Sequence, residues 1–317
     1  MRIVVALGGN ALLRRGEALS AAAQQKTIGQ AARVLAEAIF AGHHLIITHG
    51  NGPQVGLLAL QSAAGPPEST LPLDVLDAQS EGWIGYAIEL ALRNALPDGA
   101  AVATLVTQTL VDSRDKAFSH PTKPIGPIYD EATARRLAAA QNWSIAPDGK
   151  GWRRVVASPK PLGIVEITSI LRLVNTGVTV ICAGGGGVPV CAGADGRLRG
   201  VEAVIDKDAT SALLAGQASA DMLVMLTDVG GVYLDYGGKE QRIIAKAGPK
   251  ELAGYATSFQ AGSMGPKVAA ACAFVHETGQ RAAIGALGDL MEIIAGRRGT
   301  IIWPEADRVS FHDEVGG

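Results

Sequence analysis

Cysteine is scarce in this sequence: Cys182, Cys191 and Cys272 are its only three. They are odd in number, widely spaced and form no CxxC pair, which excludes a disulfide framework or a cysteine-rich zinc site and favours a reducing compartment, the cytoplasm. Aromatic residues make up 4% of the chain, too few for a surface on which nucleic-acid bases stack. No run of 18 uninterrupted apolar residues occurs, so no membrane span is expected. The apolar stretch Met1–Leu7 is too short for a secretory signal and reads as a buried strand. An excess of one charge is also missing: 28 Lys+Arg stand against 30 Asp+Glu, a net charge of −2. Any bound anion must therefore be held by local groups rather than by a broad positive field. Neither nucleic acid nor a membrane is expected as a partner.

Apolar residues are plentiful at 48%, and 317 residues suffice for one large α/β domain. Glycine is in excess: 40 of 317 is about 13%, nearly twice the usual share of roughly 7%. Short β-branched runs alternate with longer helical patterns. Strands are expected at Arg2–Leu7, His44–Thr48, Ala101–Val106, Thr179–Ala183, Met222–Thr227, Ala282–Ala286 and Thr300–Trp303. Ala21–Ala41 carries Ile28, Ala32, Leu35 and Ile39 at spacings of three and four and stops at Gly42, the pattern of an amphipathic helix. Further helices are expected from Pro53 to Ala64 and over Asp74–Leu96, Glu131–Gln141, Val165–Asn175, Asp208–Ala218 and Lys267–Thr278. Such alternation implies a mainly parallel sheet covered on both faces, with ligands at the carboxyl ends of its strands. Residues from about Asp112 to Leu162 break the rhythm, holding six of the fifteen prolines and two of the four tryptophans. They read as an inserted subdomain or lid.

Two familiar phosphate-binding patterns are absent: there is no GxxxxGK[ST], and no GxGxxG follows the first strand. Separate glycine loops close the strands instead. Gly8-Gly9-Asn10 follows the first, Thr48-His49-Gly50-Asn51-Gly52-Pro53 follows the second and opens a helix, and Gly184–Gly187 follows Val180–Ala183. Loops without side chains let backbone N–H groups crowd around anionic oxygens; they also serve as plain strand-to-helix turns. Lys207, in Ile205-Asp206-Lys207-Asp208 after an apolar strand, and Lys267, after Gly262-Ser263-Met264-Gly265-Pro266, both open helices. The helix dipole disfavours a cation there, and a polyanion between the two lysines explains both. Asp206 and Asp208 are candidate Mg2+ ligands, anchors for Lys207, or ordinary helix caps. His49 is either a general base or part of a structural turn. His43, His44, His120, His276 and His312 lack metal-ligand spacing.

The segments Ala6–Leu12, Thr48–Gly56 (THGNGPQVG), His120–Tyr129 (HPTKPIGPIY), Trp152–Pro161 (WRRVVASPKP), Gly184–Val190 (GGGGVPV), Val201–Leu214 (VEAVIDKDATSALL) and Gly262–Ala269 (GSMGPKVA) together resemble the carbamate kinases, a branch of the amino acid kinase superfamily. The resemblance runs in one order over essentially the whole chain. Ala157 stands where that family often has proline, and Gly230-Gly231 where a bulkier pair is common. The resemblance implies a three-layer αβα sandwich around a mainly parallel sheet of about eight strands, with a small protruding subdomain at about 112–162, in a homodimer. It implies Mg-dependent, reversible phosphoryl transfer between ATP and carbamate, giving carbamoyl phosphate and ADP. Residues 1–200 would bind carbamate and residues 201–317 the nucleotide. Carried over by position, Gly8, Gly9, Asn10, Gly50, Asn51 and Gly52 would line the acceptor side. Lys207 and Lys267 would contact phosphates, Asp208 would organise them, Asp228 would lie at the nucleotide, and Lys123 would close over the substrate from the subdomain. Mg2+ would arrive mainly on the nucleotide phosphates, with Asp206 or Asp208 as further ligands. Two alternatives are a sibling kinase of another small carboxylate or phosphonate, and a catalytically silent nucleotide-binding regulator.

Overall fold

A computed structural model describes residues 1–13, 17, 20–259 and 264–312. Among the described residues, ten strands form one sheet, nine of them in the order Tyr233–Leu234, Arg242–Ala247, Thr300–Ile302, Arg281–Ala286, Met222–Thr227, Arg2–Leu7, His44–His49, Thr179–Ile181 and Val102–Thr104. The six strands from Arg281–Ala286 to Val102–Thr104 are all parallel. Antiparallel pairing enters only beyond them: Thr300–Ile302 runs against Arg281–Ala286, and Tyr233–Leu234 and Ser310–Phe311 run against Arg242–Ala247. The sheet is thus two strands wider than expected. The additional edge strands are as short as two residues, below the length at which alternation registers in a sequence.

The helices are α1 (Ala21–Phe40), α2 (Gly52–Ala63), α3 (Leu73–Ala95), α4 (Glu131–Gln141), α5 (Ile167–Asn175), α6 (Lys207–Gln217), α7 (Pro249–Ala253), α8 (Met264–Thr278) and α9 (Leu290–Ile294). Side chains on a strand alternate between faces, and here each face has its own core. Ile3, Val5 and Leu7, with Leu45 and Ile47, pack under α1, α3 and α9, whereas Val4, Ala6 and Ile46 pack under α5, α6 and α8. All eight of those strand and neighbour positions are fully buried, which explains why the central strands read as continuous apolar runs.

Two local expectations change. Residues 201–206 form no strand; Ala203–Ile205 are buried there, with a single bridge, Ala157 to Ala203. Ala203, Val204 and Ile205 are apolar because they are covered, not because they pair in a ladder. The described residues of α8 run from Met264, with Pro266 among them, so Lys267 lies within the helix and is not its first residue. Gly262 and Ser263 lie outside the described residues.

The proline-rich excursion leaves the body through Gln108–Leu110 and returns through Gly163–Ile164, which pair antiparallel. Between them, Lys123–Tyr129, Gly151–Val156 and Ser144–Asp148 form a separate three-stranded antiparallel sheet carrying α4. It docks on α2 with almost no side chain between the backbones: a Cβ on Gly56 would lie 2.3 Å from Gly126 Cα, and Gly126 itself has φ +72°. Around this contact Val55, Ala59, Ile125, Val156 and Val204 form a small core. Overpacking of this kind costs about 1–3 kcal/mol. Gly56→Ala is therefore expected to lower the unfolding free energy by that amount in urea titration, and an unchanged value would show that the two backbones separate freely.

Candidate active site

The glycine loops and both helix-opening lysines meet at the carboxyl ends of the central strands. Strand Arg2–Leu7 pairs with Met222–Thr227 so that Leu7 faces Leu226, and the Gly8 N–H then donates to Leu226 O at 3.0 Å. A Cβ on Gly8 would lie 2.6 Å from that carbonyl. Gly9 and Asn10 follow in a short turn, Gly9–Ala11. On the other side Leu7 faces His49, which brings Gly50, Asn51 and Gly52 alongside. Gly52 starts α2, with Pro53 in its first turn.

At the start of α6, Asp206 is the N-cap, its Oδ1 accepting the N–H groups of Asp208 and Ala209 at 3.0 and 3.1 Å. Lys207 Nζ bonds Asp208 Oδ1 at 2.5 Å and Lys267 Nζ bonds Asp208 Oδ2 at 2.8 Å. One buried carboxylate thus holds two ammonium groups, one from α6 and one from α8. Burial alone would raise the Asp208 pKa, but Lys207 and Lys267 outweigh it and hold the acid well below the carboxylate range. Burial pushes Lys207 down, and Asp208 opposes that shift. The Gly50 backbone comes against the Lys207 side chain; a Cβ there would sit 4.0 Å from Lys207 Cδ.

Lys123 does not stand alone on a loop tip, as its Pro-Thr-Lys-Pro setting implies. It opens a strand opposite Val156, and its Nζ bonds Asp206 Oδ2 at 2.6 Å. This ion pair joins the subdomain to the first turn of α6. All four carboxylate oxygens of Asp206 and Asp208 are already engaged, by three lysines and two backbone N–H groups. No group of three or more potential metal ligands is found among the described residues. The donor set therefore does not fit Mg2+ ligation by Asp206 or Asp208.

Other expected residues take distinct places. The Asn51 side chain is buried and turned to α3, donating to Asp77 Oδ1 at 3.0 Å and Ser80 Oγ at 2.9 Å. Asp228 ends the strand beside Gly8 and accepts from Thr227 Oγ1 at 3.1 Å; no hydrogen bond or ion pair among the described residues joins it to the lysine cluster. His49 is fully buried, Nδ1–H donating to Gly50 O at 3.0 Å, and burial lowers its pKa to about 4. It stays neutral at physiological pH and has no exposed face from which to act as a base. Asp77 and Glu81 escaped the sequence reading. Their signal was there: with Ser80 they interrupt the apolar stripe Leu73, Leu76, Ile84, Ile88, Leu92 of α3, and acids in a buried stripe need a specific partner.

The model of the amino acid kinase family matches residues 1–286. The chain belongs to that family. It is 50% identical to the carbamate kinase of Rhizobium meliloti (strain 1021), covering 99% of this chain and 97% of that one. To the carbamate kinase of Pyrococcus furiosus it is 47% identical, over 96% and 99% of the two chains. The structure of carbamate kinase from Giardia lamblia bound to AMP-PNP superposes with a TM-score of 0.86 at 39% identity, covering 95% of this chain and 98% of that one. A UMP kinase from Bacillus anthracis, at 16% identity and TM-score 0.56, shares the fold alone. Family and relatives together make the chain a phosphotransferase. Among the described residues, no helix is long and apolar enough to cross a membrane.

The doubly paired Asp208 is expected to matter to folding as well as to chemistry. Removing one side of a buried ion pair leaves uncompensated charge and costs about 3–5 kcal/mol. Asp208→Asn should lose stability on that scale in urea titration at neutral pH. Its folded pKa lies below the unfolded value of 3.8, so its contribution is present above about pH 4 and is lost as pH falls further. The deficit of the variant should therefore shrink in acid, and a deficit independent of pH would exclude the ion pair as its source.

Proposed function

We propose that this chain catalyses reversible phosphoryl transfer between ATP and carbamate, giving carbamoyl phosphate and ADP. The observation that carries the reading is the Lys207–Asp208–Lys267 cluster, set among glycine loops at the strand ends, in a chain half identical over its length to carbamate kinases. Carbamate is already an anion with a nucleophilic oxygen, so the reaction needs no strong general base; the buried, neutral His49 agrees with that. What it needs is alignment of two anions that repel each other. Asp208 holds both lysine side chains in place before any substrate arrives, so little reorganisation remains when charge develops on the transferring group.

In this reading Gly8, Gly9, Asn10, Gly50 and Gly52 present backbone to the acceptor, and Asn51 fixes the second loop through its bonds to α3. Residues 1–200 supply the acceptor side. Residues 201–317 supply the nucleotide side, with Lys207 and Lys267 at its phosphates and Asp228 at the strand end beyond them. Mg2+ comes on the nucleotide phosphates and neutralises their charge. The subdomain at about 112–162 acts as a lid, with Lys123 over the acceptor and Asp206 as its seat, keeping water from carbamoyl phosphate. A homodimer is part of the proposal, supported by the exposed Phe40, Tyr86 and Leu90 on α1 and α3; sedimentation velocity reads it directly.

Lys207→Ala or Lys267→Ala is expected to lower ATP formation from ADP and carbamoyl phosphate by about two to three orders of magnitude. Turnover above half the wild-type value at saturating substrate would rule the clamp out. Lys123→Ala should raise KM for carbamoyl phosphate while ADP affinity, measured by calorimetry, stays nearly constant. An equal loss of both would place Lys123 in folding of the subdomain rather than in substrate closure.

A further inference from the structure

One buried acid at the strand ends has no part in the phosphate clamp. Glu81 lies on α3 and is 1% exposed. Its oxygens are divided between two backbone donors from different strand ends: Oε1 accepts the Gly184 N–H at 2.8 Å and Oε2 the Thr107 N–H at 3.0 Å. The Thr107 hydroxyl adds a third hold, accepting the Ala183 N–H at 3.0 Å.

The segment so gripped holds four positive-φ residues within five positions. Ala183, Gly185, Gly186 and Gly187 have φ of 51°, 68°, 104° and 80°. For Ala183 that left-handed conformation is costly and persists only where the surroundings enforce it. The rest of the loop is enforced too. The Gly186 carbonyl accepts from Thr109 Oγ1 at 2.8 Å and from Thr210 Oγ1, on α6, at 3.0 Å. A Cβ on Gly184 would lie 2.3 Å from His49 Cε1 and 2.9 Å from Glu81 Cγ. His49 continues into Gly50, where a Cβ would lie 4.0 Å from Lys207 Cδ. Glu81 is therefore one loop removed from the lysine cluster.

We propose that Glu81 is a positioning residue of the acceptor site, gripping Gly184 and Thr107 so that the tetraglycine loop holds the shape that receives the anionic acceptor. This rests on the proposed acceptor side within residues 1–200 and adds to it the tetraglycine loop, which lies against His49 and Asn51 of the second glycine loop. The titratable groups that interact with Glu81 are Asp77 on its own helix, Glu166 and Cys182 just past the strand Thr179–Ile181, and His49 lies against the same Gly184; none supplies a positive charge. Burial accordingly pushes Glu81 up to about 8, against the pull of its bonds from Thr107 and Gly184. The acid is uncharged at neutral pH and acquires a negative charge as pH rises past that value. A carboxylate then forms under a loop that must receive an anion.

The experiment is a steady-state measurement of ATP formation from ADP and carbamoyl phosphate between about pH 7 and 9.5. In the wild type, KM for carbamoyl phosphate should rise several-fold across the upper half of this range while KM for ADP holds. Glu81→Gln removes the titration and one backbone acceptor. It should raise KM for carbamoyl phosphate at pH 7 more than it lowers kcat, and flatten the alkaline rise. Thr107→Val, which loosens the Ala183 N–H and removes the hydroxyl beside Glu81 but keeps the Thr107 N–H on its carboxyl, should raise KM and still show an alkaline rise. Melting curves show whether each variant is folded, and the wild-type profile stands even if Glu81→Gln is not. An alkaline rise that persists in Glu81→Gln shows that another group is its source and overturns the proposal, as does a wild-type KM that is flat. A wild type that forms no ATP from carbamoyl phosphate refutes the carbamate kinase reading instead.

Discussion

The site depends on one carboxylate holding two cations. Without Asp208, Lys207 and Lys267 would be two largely covered ammonium groups in the first turns of two different helices, opposed by desolvation, mutual repulsion and the helix dipoles together. With it, α6 and α8 are joined at their first turns by charge-assisted hydrogen bonds of 2.5 and 2.8 Å. The cluster keeps a net positive charge aimed at the strand ends. Because the lysines already lie in place, a polyanion meets a site that needs only small adjustment.

That arrangement governs its surroundings. Asp206 caps α6 with one oxygen and holds Lys123 with the other, so a single residue ties the position of the subdomain to the position of the phosphate clamp. The α6 helix is fixed from the opposite side as well, since Thr48 Oγ1 and Ser211 Oγ lie 2.7 Å apart and Thr210 reaches the carbonyl of Gly186. Glycine is needed along this path because backbone approaches backbone: Gly8 against Leu226, Gly56 against Gly126, Gly186 against Ile205. Part of the glycine excess is thus explained by close backbone contacts, while glycines such as Gly42, Gly99 and Gly177 stand at positive-φ turns with open space around them.

Buried polar groups play the complementary part on α3. Asp77, Ser80 and Glu81 give up hydration in a helix face that is otherwise apolar, and in return they fix Asn51 and the tetraglycine loop. Such networks are costly where a buried polar atom lacks a partner, as Asp77 Oδ2 does here, and where they are satisfied they specify a single geometry. Here that geometry is of loops which have no side chains of their own to define them.

Much of this was legible in the sequence. The central strands Arg2–Leu7 and Met222–Thr227 and helix α4 stand at the residues where periodicity and turn signals place them, because a strand buried on both faces and an amphipathic helix are local patterns. The glycine loops and the lysines at helix starts were visible for the same reason: each breaks a local rule. Pairings between distant residues were not. Nothing in the local sequence says that Lys123 meets Asp206 across 83 positions, that Lys207 and Lys267 share Asp208, or that Glu81 reaches Gly184. Nor did an apolar run distinguish a paired strand from the covered, unpaired segment at 203–205. Short-range order follows from residue spacing, whereas which charges meet is decided only when the parallel sheet brings its strand ends together and burial makes each unpaired charge too costly to leave.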